Sequence, residues 1–207
     1  MTYAFIHGLG QIPSSWDKVT NYLSNDIHIY RPCLSTIIGD RQITYENLYE
    51  AFENECKRVE MPLYLCGISL GAVLALQYAI NNPQKVKSLM LIAPQYKMPK
   101  LLLSIQNIVF RVLPQKAFQE TGFSKREIIT LSTSMKKIDF TTALSKIICP
   151  CYIICGQKDK ANQKAARLLA DNISNAILSF VENAGHEVNI DAPAKLADLI
   201  KEAWFNE

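Results

Sequence analysis

The chain has 207 residues, 49% hydrophobic and 20% charged, with 22 Lys and Arg against 19 Asp and Glu. That length supports one domain with a sizeable buried core rather than two, and the composition is that of an ordinary soluble globular protein. The net charge is only +3, and the absence of a dense basic patch or binding motif argues against a nucleic-acid partner.

Met1-Thr2-Tyr3-Ala4-Phe5-Ile6 carries no basic leader and runs straight into an apolar stretch, so no secretory signal is expected. Residues 3–7 predict a first strand ending at Gly8. Residues 14–24 have helical spacing through Trp16, Val19, Tyr22 and Leu23, and residues 27–31 predict a second strand. A helix follows over 44–59, with Thr44 as N-cap and Leu48, Phe52 and Cys56 as its apolar positions. Residues 63–68 predict a third strand, 70–81 an Ala- and Leu-rich helix, and 86–93 a fourth strand. Strands five and six fall at 151–155 and 176–181, followed by helical stretches at 163–172 and 194–205. Strands alternating with helices imply a doubly wound, mostly parallel α/β sheet of about six strands, covered on both faces. Near-continuous apolar strands fit that burial.

Residues 95–147 break the rhythm. They hold two helix-like stretches, 99–112 and 124–138, and no convincing strand, so this insertion reads as a helical lid. It is basic: nine Lys and Arg face only Glu120, Glu127 and Asp139. This is either a solvated outer face or an attraction for an anionic substrate. No apolar run reaches the ~18 residues of a membrane span. Six cysteines, Cys33, Cys56, Cys66, Cys149, Cys151 and Cys155, lie mostly in apolar strand-like runs and read as reduced, buried thiols. A cytoplasmic location is the matching expectation. Cys149, Cys151 and Cys155 lack C-x2-C spacing and a second ligand cluster, so no zinc site is expected. Nothing requires a metal or organic cofactor.

Four short motifs carry chemistry. Gly67-Ile68-Ser69-Leu70-Gly71 is a G-x-S-x-G motif between an apolar strand and a helix. A sharp strand-to-helix turn lifts a serine hydroxyl out of the sheet, while glycines let neighbouring backbone pass closely. Ser69 is therefore the candidate nucleophile. His186, just after the last strand in Asn183-Ala184-Gly185-His186, is the candidate base; His28 reads as a surface or packing residue and His7 as a loop-shaping one. Asp159, in Gly156-Gln157-Lys158-Asp159, is the candidate acid that orients the histidine. The rival, Asp191, lies only five residues after His186 and reads as a cap of the last helix. The backbone N–H groups of Leu70 and of Leu9, in His7-Gly8-Leu9-Gly10, are the candidate oxyanion donors. With strand order 2-1-3-4-5-6, the first and third strands flank the crevice where ligands bind.

These motifs, with Gly185-His186, resemble the α/β-hydrolase superfamily in its small, single-domain esterase-like branch. The resemblance covers nearly the whole chain outside 95–147. It implies a Ser69–Asp159–His186 triad in the chain order of that fold. It also implies that the first two strands of the usual eight are missing. The expected activity is hydrolysis of a carboxylic ester or thioester of a small or medium acyl substrate through an acyl-enzyme. C–C bond hydrolysis, lactone opening and elimination on the same residues stay open, as does a ligand-sensing protein with little turnover. A dehalogenase would require Asp in place of Ser69. Apolar residues of the insertion, among them Leu102 and Phe110, are candidates for an acyl pocket. The expected partner is a small-molecule substrate; the sequence is silent on oligomeric state.

Overall fold

A computed structural model describes residues 1–23, 26–118 and 121–205, without the side chains of residues 101, 102, 105, 106, 109 and 117. Its strands are β1 (Thr2–Ile6), β2 (Ile29–Tyr30), β3 (Leu63–Ile68), β4 (Val86–Ile92), β5 (Cys151–Gly156) and β6 (Ala176–Val181). Its helices are α1 (Asp17–Thr20), α2 (Leu34–Ile37), α3 (Tyr45–Cys56), α4 (Leu70–Asn81), α5 (Lys100–Val112), α6 (Lys125–Ser134), α7 (Lys160–Asn172), α8 (Val188–Asp191) and α9 (Pro193–Trp204). The six strands form one sheet in the order β2-β1-β3-β4-β5-β6, parallel throughout. The doubly wound architecture read from the sequence is the one observed.

Side-chain alternation along each strand divides the core in two. Ala4, Ile6, Leu65, Leu89, Leu91, Ile153 and Cys155 point to one face, against α3, α4 and α7. Tyr3, Phe5, Cys66, Ile68, Met90, Ile92 and Ile154 point to the other, where Trp16, Val19, Leu196, Ile200 and Trp204 cover them. Burying a side chain of this size contributes roughly 1.5–3 kcal/mol, so both faces must be covered, which explains the near-continuous apolar strands.

Local signals set the element ends. The Thr44 side chain accepts from Asn47 N–H and starts α3. Ser124 and Glu127 form a reciprocal capping box at the start of α6. β2 is shorter than expected, two residues instead of five, because it pairs with β1 only at Tyr3 and Ala4. The 14–24 segment is a 3-10 turn, Pro13–Trp16, leading into the short α1; Ser24 lies outside the described residues. Between β4 and β5 the described residues form helices α5 and α6, 3-10 turns and one isolated antiparallel bridge, Lys97 to Asp139.

Candidate active site

β3 ends at Ile68, the chain turns through one residue, and α4 starts at Leu70. That residue, Ser69, has φ 53° and ψ −114°, a conformation that costs an L-residue about 1–3 kcal/mol. Its N–H donates to Ile92 O at 2.9 Å and its carbonyl accepts from Val73 N–H at 3.1 Å, so both neighbours over-determine the turn. The motif glycines have a steric reason. A Cβ on Gly67 would stand 2.3 Å from Gly71 O, and one on Gly71 would stand 2.2 Å from Ile6 O. The start of α4 therefore lies directly on the ends of β1 and β3.

His186 follows β6 and Asp159 follows β5. His186 Nδ1 lies 2.8 Å from Asp159 Oδ2. The pairing makes Nδ1 the donor and leaves the lone pair on Nε2. A Cβ on Gly156 would fall 2.0 Å from Gly185 O, so glycine lets the two loops approach. The Asp159 side chain is 5% exposed and that of His186 44%, which shelters the acid and leaves the imidazole reachable. Burial alone would raise the Asp159 carboxyl; hydrogen bonds from His186 and Asn162 outweigh it, and its pKa lies below the ordinary carboxylate value.

Two further side chains hold this pair in place. Asn162 Nδ2 donates to Asp159 Oδ1 at 2.9 Å and Oδ2 at 2.8 Å. It also lies 3.1 Å from His186 Nδ1, and since both nitrogens carry hydrogen they share the carboxylate rather than bond each other. Gln95 Nε2 donates to Asn162 Oδ1 at 2.7 Å and fixes the amide orientation. The spacing Asp159-x-x-Asn162, with Asp159 at the N-cap of α7, is the pattern that would have revealed Asn162.

Asp191 does not cap the last helix. Ala192 holds that position, while Asp191 Oδ2 accepts the N–H of Gly185 at 2.7 Å. Its carboxylate is engaged across the loop, holding the backbone that precedes His186. Gln11 is a second hidden tie: its Nε2 donates to Glu187 Oε1 at 2.8 Å and Asn189 Oδ1 at 3.2 Å, and its Oε1 accepts Gly8 N–H at 3.2 Å. It links the β1 loop to the His186 loop. His7 Nδ1 lies 2.9 Å from Gly8 O, and its Nε2 accepts Leu34 N–H at 3.2 Å. That pattern needs a neutral ring, and burial pushes the His7 imidazole below its ordinary value, outweighing the hydrogen bond to Gly8. His28 is exposed.

Ser69, His186, Leu9 and Leu70 all border one cavity of about 340 Å³. Leu70 is the first residue of α4, where an N–H has no partner inside the helix. Among the described residues the Leu9 N–H also has no hydrogen-bond partner, and no hydrogen bond joins the Ser69 hydroxyl to His186. The apolar wall includes Val73, Met98, Leu103 and Met135. Phe110 does not border the cavity; it stands edge-on to Phe118, ring centres 5.8 Å apart. The Leu102 side chain lies outside the described residues. Among the described residues no group of three His, Cys, Asp or Glu is placed to hold a metal ion. No described helix is long and apolar enough to cross a membrane.

Residues 4–199 match the model of the alpha/beta hydrolase family. The human monoacylglycerol lipase ABHD6 is 23% identical over an alignment covering 94% of this chain and 72% of the relative. The mouse ABHD6 is 28% identical over 67% of this chain and 47% of the relative. Among solved structures, the enol-lactonase from Burkholderia xenovorans LB400 superposes with a TM-score of 0.86 at 14% identity, covering 99% of this chain and 91% of that one. MGS-M2, an alpha/beta hydrolase from a deep-sea metagenome library, has a TM-score of 0.83 at 18% identity, covering 100% and 90%.

Proposed function

The chain belongs to the alpha/beta hydrolase family, and on that premise we propose that it is a serine hydrolase acting on a carboxylic ester or thioester. The observation that carries this reading is the 2.8 Å contact between His186 Nδ1 and Asp159 Oδ2, beside a cavity that Ser69 and His186 both line.

The reaction has two halves. Ser69 Oγ attacks the acyl carbon and its proton passes to His186 Nε2, while the Asp159 carboxylate holds the ring and stabilises the imidazolium. The carbonyl oxygen takes up the charge and accepts from the Leu9 and Leu70 N–H groups, each donor worth roughly 100- to 1000-fold in rate. The bond to the alcohol or thiol breaks, and that leaving group takes the proton from His186. Water then attacks the acyl-enzyme, gives a proton to His186, and the acid departs as Ser69 recovers its hydrogen. A ground state without a Ser69–His186 hydrogen bond is consistent with this, because such contacts tighten on substrate binding.

Helices α5 and α6 act as the lid, since Leu103 of α5, Ser132 of α6 and Met135 just after α6 supply part of the cavity wall. Relatives named as monoacylglycerol lipases and as an enol-lactonase direct the substrate panel: monoacylglycerols, simple esters, thioesters and lactones. Six free thiols support a reducing compartment.

The test is treatment with a fluorophosphonate followed by mass spectrometry. One adduct on Ser69, abolished by His186→Ala, supports the reading. A folded protein without an adduct, and without turnover on the panel, overturns it in favour of ligand sensing.

A further inference from the structure

The buried stripe of α6 is Ile128, Leu131 and Ser132, continued by buried Met135 directly after the helix. This is the i, i+3, i+4, i+7 spacing of a core-facing helix, and it places a serine where the other three positions are apolar. Ser132 is 1% exposed and borders the cavity that holds Ser69 and His186.

Its hydroxyl behaves unlike its neighbours. Thr130, Thr133 and Ser134 each donate to a carbonyl of their own helix, at 2.9, 2.6 and 2.7 Å, the usual outlet for a helical hydroxyl. Ser132 Oγ has no hydrogen-bond partner among the described residues. An unsatisfied buried hydroxyl is destabilising, and in a native fold it calls for an explanation. Among the described residues, the cavity's other polar side chains are accounted for. Ser69 and His186 belong to the proposed chemistry, and Asn162 and Gln95 bond each other. Ser132 is the uncommitted one, a group able to donate one hydrogen bond and accept two, within apolar walls.

We propose that Ser132 is the recognition hydroxyl of the cavity, selecting acyl substrates that carry a hydrogen-bonding oxygen, a hydroxyl or carbonyl besides the scissile one, within an otherwise apolar body. This rests on the serine hydrolase reading and narrows its substrate class. A hydrocarbon ester leaves Ser132 unpaired when it binds; one with a suitably placed oxygen pairs it.

The experiment measures kcat/KM for propyl hexanoate, glycerol monohexanoate and propyl 3-hydroxyhexanoate, in the wild type, Ser132→Ala and Thr130→Ala. In the wild type and Thr130→Ala, at least one hydroxylated ester is preferred over propyl hexanoate by roughly tenfold, the scale of one hydrogen bond in a desolvated site. In Ser132→Ala that preference collapses toward unity. The arm that responds tells whether the recognised oxygen lies on the alcohol or the acyl side. Equal preferences in wild type and Ser132→Ala, in both arms, overturn the proposal while the hydrolase reading stands. No turnover of any ester, with no fluorophosphonate adduct on Ser69, defeats the hydrolase reading and this proposal with it. A thermal melt adds an independent readout: Ser132→Ala keeps or raises Tm because it deletes an unpaired hydroxyl, whereas a lowered Tm would show that the hydroxyl is satisfied within the protein and overturn the proposal.

Discussion

A single amide nitrogen of Asn162 donates to both oxygens of the Asp159 carboxylate, at 2.9 and 2.8 Å. In the proposed mechanism Asn162 would be a positioning residue for Asp159, and Gln95 Nε2 donates to the Asn162 Oδ1. Hydrogen bonds to a charged group contribute about 1.5–3 kcal/mol. Asn162→Ala is expected to lower kcat by roughly 10- to 100-fold with KM changed far less. Asn162→Asp is expected to be worse, since it replaces a donor with a second negative charge. Steady-state kinetics on one ester checks both; a KM effect without a kcat effect would move Asn162 to substrate binding.

Ser69→Ala is expected to reduce kcat by about 10^4-fold or more with the fold intact. The turn adds a second expectation. Its φ of 53° and ψ of −114° strain any residue with a Cβ, so Ser69→Gly is expected to be more stable than Ser69→Ala by about 1 kcal/mol after the extra chain entropy of glycine. In a protein of this size that is a Tm difference of roughly 2–4 °C. Equal melting temperatures would mean an unstrained turn.

Asp159 and Asp191 separate cleanly. Asp159 faces the imidazole, whereas Asp191 accepts one backbone N–H from Gly185. An Asn at 191 retains an acceptor oxygen there. Asp159→Asn is expected to lose roughly 10^3- to 10^4-fold in kcat and Asp191→Asn less than about tenfold. The reverse ranking would reassign the acid.

Stability is expected to decline on acidification through His7. Its folded-state pKa is depressed by burial below the unfolded value of about 6.5, so the unfolded chain binds the proton more readily. The contribution is fully present above the unfolded value and is lost as pH falls through the folded one. Urea unfolding at pH 7.5 and 5.5 should show a larger acid loss for the wild type than for His7→Gln, which removes this one buried imidazole.

Thiol reactivity should be selective. Burial pushes the Cys149 thiol up to about 11 and the Cys155 thiol up to about 12. At Cys33 burial also raises the thiol, but hydrogen bonds from Ser35 and Thr36 outweigh it and the net shift is downward. Cys33 is only half-buried. Iodoacetamide at neutral pH, read by peptide mapping, should modify Cys33 first; prior modification of Cys149 or Cys155 would indicate local opening around β5, which is paired on both sides by β4 and β6.

The sequence by itself determined the sheet and the order of the chemistry-bearing residues along it. Strand β3, helix α4 and strand β6 begin and end where the apolar runs predict, because apolar periodicity and glycine punctuation are local properties that survive without knowledge of neighbours. Only the tertiary structure decided what surrounds those residues. Gln11 reaches Glu187 across 176 positions, Gln95 reaches Asn162 across 67, and Asp191 turns to Gly185 instead of capping a helix. A polar side chain has no period that reveals its partner. Ser132 is the sharpest case: as a residue type it is an unremarkable helical serine, and only the packing of α6 over the cavity that Ser69 also lines leaves its hydroxyl buried and unpaired.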